Sequence, residues 1–527
     1  MSDPHLRSEV LIVGAGPTGL MMAAQLLRWG IRPRIIDARP GPSTQTRAVG
    51  IQARSVEILE QMGLAGIALA QGIPARVANI FGDRGRLGRI EIGHIGEGLS
   101  PFPYMLILPQ DRTEAILCGD LNARGLEVEW NTRLEHLVPT SNGVQAVLEH
   151  AGQAQTAQFR FLLGADGAHS EVRRGLKLEF EGSTYDHRFF VTDLRVEGEA
   201  VEGEINMFVS NRFYVMGLMP LPGPRRFRLI GICPESLAHL EHPTFADLKP
   251  HLDTVLGEQL RLSDVTEFAT YRVQHRVATH FKRGNVFLLG DAAHVHSPLG
   301  GQGMNTGLQD AYNLAWKLAL VLRGVANASL LESYDAERRP NALKLVETTD
   351  RGFTLMVSKS RWMRFVRLWA VPKLAPLLLS FKRLQRAAFL TVSQTALNYR
   401  NSALNVNRLE GHVRAGDRFP WFIYAGQDVF EQMTGTRFTL FVLGDWTSSN
   451  SSKTELERLR SSLLETVFIP DPAAYIGTGL SSGLYLVRPD GYIGLTTGRL
   501  EDVSAYLEQT VGLTFPQKRL ERSLARV

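Results

Sequence analysis

Apolar residues in this chain fall into two kinds of run. Val10-Leu11-Ile12-Val13, Phe161-Leu162-Leu163 and Val286-Phe287-Leu288-Leu289 are unbroken and short, the pattern of strands buried on both faces of a parallel sheet. Glycines and then a helical pattern follow each of them. Leu20, Ala23, Ala24 and Leu27 share one face of a helix predicted over 20–29, with Gly30 as its stop. A second apolar strand, Ile35-Ile36, ends at Asp37. A long helix is predicted over 306–322, with Leu308, Ala311, Ala315, Leu318 and Leu322 at helical spacing and Gly324 ending it. Between 180 and 271 the pattern changes, and stretches such as 206–220 and 227–233 carry the β-branched and aromatic residues of strands. From about 404 another unit begins, with Arg414-Ala415-Gly416-Asp417-Arg418-Phe419-Pro420, strands over 438–442 and 483–487, and a turn through Arg488-Pro489-Asp490-Gly491.

The glycines carry the first chemical signal. Gly14-Ala15-Gly16-Pro17-Thr18-Gly19 matches G-x-G-x-x-G between a strand and a helix. Gly14 permits the tight turn, Gly16 lets a pyrophosphate approach the backbone, and Gly19 lets the helix pack on the strand. The free N–H groups of the first helical turn then face the phosphate charge. Asp37, after the second strand, is placed to accept hydrogen bonds from an adenosine ribose. The motif alone does not separate FAD from NAD, and glycine-rich structural turns are common.

Two later motifs point to a flavin. Phe161-Leu162-Leu163 runs into Gly164-Ala165-Asp166-Gly167, with Ser170 as a helix cap; standing alone this reads equally as a plain strand, turn and helix. The third strand delivers Gly290-Asp291-Ala292-Ala293-His294, and after a short loop come Pro298-Leu299-Gly300-Gly301-Gln302-Gly303-Met304-Asn305. Asp291 at a strand tip can accept from a sugar-like hydroxyl such as a ribityl chain. The glycines of 300–303 let bare N–H groups approach a flat ring, where the helix dipole stabilises negative charge on reduced flavin.

In order and spacing these three motifs resemble the fingerprints of the group A flavoprotein aromatic hydroxylases, relatives of para-hydroxybenzoate hydroxylase and phenol hydroxylase. The resemblance covers roughly the first 400 residues and is most specific from Gly290 to Lys317. It implies a mixed α/β fold: a Rossmann-like FAD-binding domain (1–178 and 272–400), an inserted β-sheet substrate domain (179–271) and a C-terminal thioredoxin-like domain (404–527) without cysteines. The FAD contacts it implies are Gly14, Ala15, Gly16, Pro17, Thr18, Gly19, Asp37, Ala38, Arg39, Asp166, Asp291, Gly301, Gln302, Gly303, Met304 and Asn305, with Arg47 and Gln110 added from their settings in Thr46-Arg47-Ala48 and Pro109-Gln110-Asp111. For those two, a surface charge and a polar cap are the plain alternatives. Pro298 is expected beside the reacting ring. Phe208, Phe213, Tyr214 and Met216 are candidates for the substrate pocket, with ordinary core packing an equal alternative for each. The implied reaction uses NADPH or NADH and O2 to hydroxylate an aromatic, phenolic or polyketide-like substrate through a flavin C4a-hydroperoxide. No counterpart of the phenolate-binding tyrosines and arginines of smaller members is identified. Baeyer–Villiger or epoxidising oxygenation on the same scaffold, and a ligand-binding flavoprotein without turnover, stay open.

Composition narrows the rest. With 58 basic and 53 acidic residues and no concentrated Lys/Arg stripe, nucleic acid is not an expected partner. Two cysteines, Cys118 and Cys233, exclude a disulfide framework and suit a reducing cytoplasm. A polar start over 1–8 does not read as a signal peptide, and no apolar run is long enough to span a membrane. The stretch 362–388 mixes Trp, Phe and Leu with Arg and Lys as an interfacial helix does; Pro372 and Pro376 interrupt it, and packing between domains is the expectation. His294 and His296 form H-x-H without further ligands, so no metal is expected. The W-x-W-x-I-P of flavin halogenases is missing. A homodimer is one assembly this reading allows.

Overall fold

The structure is a computed structural model that describes residues 8–43, 48–82, 85–210, 216–256, 259–297, 299–358, 360–445 and 462–513. Its first sheet has the order Lys282–Arg283, Val286–Leu288, Phe161–Gly164, Val10–Val13, Arg34–Ile36. The last four strands are parallel, with Val10 opposite Phe161 and Val13 opposite Gly164. All three unbroken apolar runs therefore sit side by side, buried as their composition demands. Helices Pro17–Arg28 and Gly303–Leu322 pack on this sheet and on each other. Each starts earlier than the apolar periodicity alone suggests, because Pro17 occupies the first helical position and Gly303 tolerates the tight entry.

An eight-stranded sheet follows, in the order His294–Val295, Leu260–Ala278, Phe180–Gly198, Arg226–Ile232, Met216–Pro220, Ile205–Phe208, Val77–Gly82, Gly85–Glu91. It recruits strands from outside the 179–271 span expected from sequence. Phe190, Leu194, Phe208, Met216 and Phe227 fill its outer face, closed by Leu248 and Leu252 of the helix Phe245–Leu256. Side chains alternate along a strand, so their neighbours point inward. Met207 and Met219 accordingly join Met105, Ile205 and Ile107 on the inner face.

The C-terminal sheet runs Val406–Asn407, Ile493–Thr497, Gly483–Val487, Phe438–Leu443, Leu464–Ile469. One face (Phe438, Leu440, Leu484, Leu486) shares the core of the first sheet, and Trp316 of the long helix meets Phe438 edge-on at 5.7 Å. The other face packs on Phe419, Phe422 and Phe430.

Residues 361–392 form a chain of short helices across the strand Gly85–Glu91. Set against the expectation of packing between domains, this stretch packs on one side only: Pro372 lies against Gly88 and Phe389 against Gly96, while Trp362 is 68% exposed and Phe381 57%. An amphipathic pattern announces an apolar face, but not what covers it.

Candidate cofactor and active site

The three motifs meet through interlocking small residues. A side chain at Gly19 would collide with the Gly14 carbonyl, and one at Gly14 with the Ala165 carbonyl, so the first turn closes against the second. Thr18 is wedged between Gly290, where an added Cβ would lie 2.6 Å from its Oγ1, and Gly307 of the long helix. Gly290, at φ +58, could not carry a branched side chain. Asp37 receives the Ala15 N–H at 2.7 Å and the Arg39 N–H at 2.8 Å, tying the glycine turn to the strand beside it. Arg39 pairs with Asp37 at 3.0 Å and lies over Trp130, while Ala38 is exposed. Gln110 donates to Glu114 at 2.9 Å. Burial raises the Glu114 carboxyl above its ordinary range.

At the far end, the N–H groups of Gly303, Met304 and Asn305 precede the first helical bond, which Thr306 makes to Gln302. Beside them, Gly301, at φ +62, leaves open space. The Asn305 side chain does not reach that space. It accepts the Gln52 N–H at 2.8 Å and donates to Gly50 O and Gly301 O at 2.9 and 2.8 Å, so only its backbone is available to a cofactor. Gln52 completes the clamp by donating to Gly300 O at 2.8 Å. Neither Gln52 nor Gln394 was found by motif. Gln394, at φ +62, donates to Thr306 Oγ1 at 2.9 Å and braces the helix start.

Asp310, one helix turn further on, organises the Gly290 loop. It receives the Gly290 N–H at 3.0 Å, His294 Nε2 at 2.7 Å and Arg338 Nε at 2.6 Å. Burial alone would raise its carboxyl; Arg338 and His294 hold it below the ordinary value. His294 is thus engaged by Asp310. His296 donates from Nδ1 to Ser297 O at 2.8 Å, leaving Nε2 as a buried lone pair without a partner beside Gly303. Burial, reinforced by His294, pushes this imidazole down to about 4, so it is neutral near pH 7. The two cysteines are quiet, since burial pushes both thiols up to about 11.

Three observations make the site fit FAD. A Cβ built on Gly16 meets nothing within 4 Å, so the helix start is open to a pyrophosphate. Asp291 stands exposed at the end of the third strand. Asp166, whose carboxyl burial raises, spends Oδ2 on Val172 N and leaves a buried Oδ1 without a partner, an acceptor awaiting a hydroxyl. Arg47 and Pro298 lie outside the described residues, as do Phe213 and Tyr214. Phe208 and Met216 lie on the outer face of the sheet: Phe208 stacks on Phe81 at 5.0 Å and Met216 is fully buried, both in the outer core. Alternation, shifted by one residue, gives the inner face to Met207 and Met219. They share it with Arg228, paired to Asp193 at 2.6 Å, whose strand neighbour is Met219.

Residues 7–349 match the family model described as "FAD binding domain". Two relatives extend the likeness along the chain. The 6-methylpretetramide 4-monooxygenase of Streptomyces rimosus is 32% identical, over 92% of this chain and 90% of its own. The pentachlorophenol 4-monooxygenase of Sphingobium chlorophenolicum is also 32% identical, over 92% and 86%. Among solved structures, the OxyS anhydrotetracycline hydroxylase from Streptomyces rimosus superposes with a TM-score of 0.75 at 26% identity, covering 96% of this chain and 99% of that one. The chain belongs to the FAD-binding-domain family of flavin-dependent aromatic monooxygenases.

Proposed function

We propose that the protein hydroxylates a polycyclic phenol of polyketide type, with NADPH or NADH as the electron source. Activation of O2 and delivery of one oxygen atom to the ring are the chemistry that FAD supplies when bound. The chain binds and orients it. Gly14, Ala15, Gly16, Pro17, Thr18 and Gly19 take the pyrophosphate, Asp37 with Arg39 and Ala38 the adenosine end, and Asp166, Asp291 and Gln110 the hydroxyls and phosphates between. The N–H groups at Gly301, Gln302, Gly303, Met304 and Asn305 hold negative charge at the ring edge. His296 Nε2 is a neutral hydrogen-bond acceptor beside Gly303.

The observation that carries the substrate reading is the inner face of the eight-stranded sheet. Met207, Met219 and Ile205 offer an adaptable apolar wall, and Phe189 stacks on Tyr271 at 5.9 Å further along. Arg228 on the same face is buried and paired with Asp193 at 2.6 Å and Glu267 at 3.9 Å, so its charge is already balanced. A wide, adaptable apolar wall suits a fused-ring phenol better than a small, highly charged benzoate.

Purified FAD-loaded protein should oxidise NAD(P)H faster with polycyclic phenols, release little hydrogen peroxide, and yield a product heavier by one oxygen. Peroxide alone across the panel, or a ring-expanded ester product, would overturn the reading. Met219→Trp should raise KM for the accepted phenol about tenfold and shift turnover toward peroxide, at unchanged FAD content. Met216→Trp, on the outer face, should lower stability and leave KM as it was. Equal KM effects from both would remove Met219 from the pocket.

The division into a cofactor unit (1–178 and 272–400), a sheet unit around 179–271 and a C-terminal unit over 404–527 is part of this proposal, with the sheet unit extended to the strands of 77–91. The thioredoxin-like reading of the last unit is supported by its strand order. Leu464–Ile469 lies parallel to Phe438–Leu443, which then pairs antiparallel with Gly483–Val487, itself antiparallel to Ile493–Thr497. Without cysteines, that unit has a structural role. The free thiols fit a cytoplasmic setting.

A further inference from the structure

We propose that the outer face of residues 361–392 docks on an anionic lipid bilayer. Between Asp350 and Glu410 the chain has no acidic residue, whereas Arg361, Arg364, Lys373, Lys382, Arg383 and Arg386 fall inside that interval. The folded segment is anchored from beneath and open above. The Pro372 carbonyl lies so close to Gly88 that a side chain there would come within 2.7 Å, and Phe389 is buried against Gly96. Ten of the eighteen exposed large apolar side chains among the described residues lie between Trp362 and Val392, which makes this a patch rather than scatter.

The patch has internal order. Trp362 stacks on Phe365 at 5.7 Å and Phe365 on Trp369 at 5.2 Å, a ladder along one helix face. The Lys373 ammonium sits 4.7 Å from the Trp369 ring. Leu377, 58% exposed, and Phe381 continue the apolar surface. Aromatic rings beside lysine and arginine are what the headgroup boundary takes up: rings enter the interface while the long basic stems reach phosphate. A second copy of the chain is a poor occupant, because a symmetric contact would set basic residues against basic residues with no carboxylate between them. The geometry is that of a surface contact, since no helix among the described residues is long and apolar enough to cross a membrane.

Flotation of the full-length, FAD-loaded protein with vesicles tests this independently of substrate. Binding is expected to phosphatidylcholine vesicles containing phosphatidylglycerol, not to phosphatidylcholine alone, and should weaken as salt rises. Trp362→Ser with Trp369→Ser, and separately Arg383→Gln with Arg386→Gln, should each lower the bound fraction about tenfold at unchanged FAD content and NAD(P)H oxidation. No flotation with either vesicle, or flotation that neither pair of substitutions reduces, would overturn the proposal. A concentration-dependent dimer in sedimentation that the tryptophan pair abolishes would overturn it in favour of a second copy.

Discussion

Gly16→Val is expected to strip the protein of FAD while leaving its fold intact. Gly16 lies at φ −76 and ψ −177, extended backbone that any residue adopts, and a Cβ built on it touches no heavy atom within 4 Å. The free protein therefore accommodates valine with little strain. What valine fills is the space above the helix start, where the proposed pyrophosphate must come within hydrogen-bond distance of bare N–H groups. A displaced diphosphate loses several charge-assisted bonds, so affinity should fall at least about 100-fold, close to 2.8 kcal/mol. The readouts are flavin absorbance per mole of protein, the Kd for added FAD, and a thermal midpoint compared with that of the flavin-free parent. Gly14→Val is the contrast. At φ +102, with the Ala165 carbonyl in the way, it should damage the fold together with the cofactor site. If Gly16→Val bound FAD normally, the diphosphate could not lie over this turn.

That test was legible in the sequence because its physics is local. Strand, glycines, helix and acid follow one another within forty residues, and each apolar run must be buried whatever else the chain does. The same holds for the Gly290 to Asn305 block. What escaped depends on partners far away in the chain. Thr18 reads as one more contact of G-x-G-x-x-G, while its wedging between Gly290 and Gly307 depends on residues far along the chain. Asn305 looked like a cofactor contact, yet its side chain is consumed by Gly50, Gln52 and Gly301. Phe208 and Met216 went to the outer core because which face a strand residue takes is set by the neighbouring strands. The pairing of Met207 with Gly217, rather than composition, decides it. Glu337 and Arg338 sit in a helix with a weak amphipathic pattern, which gives no sign that both are buried.

Glu337 is the centre of the second large expected effect, because it joins the C-terminal unit to the helix Gly303–Leu322, whose start faces the proposed flavin site. Its Oε1 receives Arg488 Nη1 at 2.6 Å and Ser402 Oγ at 2.7 Å; its Oε2 receives Arg488 Nη2 at 2.9 Å, Lys317 Nζ at 2.7 Å and Asn313 Nδ2 at 2.8 Å. Asp490 supplies the second negative charge and takes the Trp316 Nε1–H at 3.1 Å. Two acids thus balance two bases with almost no water access, and Glu337→Ala leaves a buried excess of positive charge. Removing one partner of such a set costs about 3–5 kcal/mol, whereas a matched apolar replacement of the whole set is often neutral. The urea midpoint followed by tryptophan fluorescence should drop accordingly, and a shift worth under 1 kcal/mol would mean the cluster is well hydrated in solution. Acid should act in the same direction. Burial alone would raise the Glu337 carboxyl, but Arg488 and Lys317 hold it well below its ordinary 4.5. Its contribution is therefore complete above that value and drains away as pH falls below it. Lys317 adds a second window of the same sign: burial pushes it down to about 8 from 10.5, so the unfolded chain holds the extra proton between those values and stability gains there as pH rises. Glu337→Gln should flatten the acid limb, having already lost what protonation removes. Because Glu337 precedes Arg338, which grips Asp310 and through it the Gly290 loop, FAD affinity should weaken along with stability. A variant that lost stability at unchanged FAD affinity would show that the two ends of the helix respond separately.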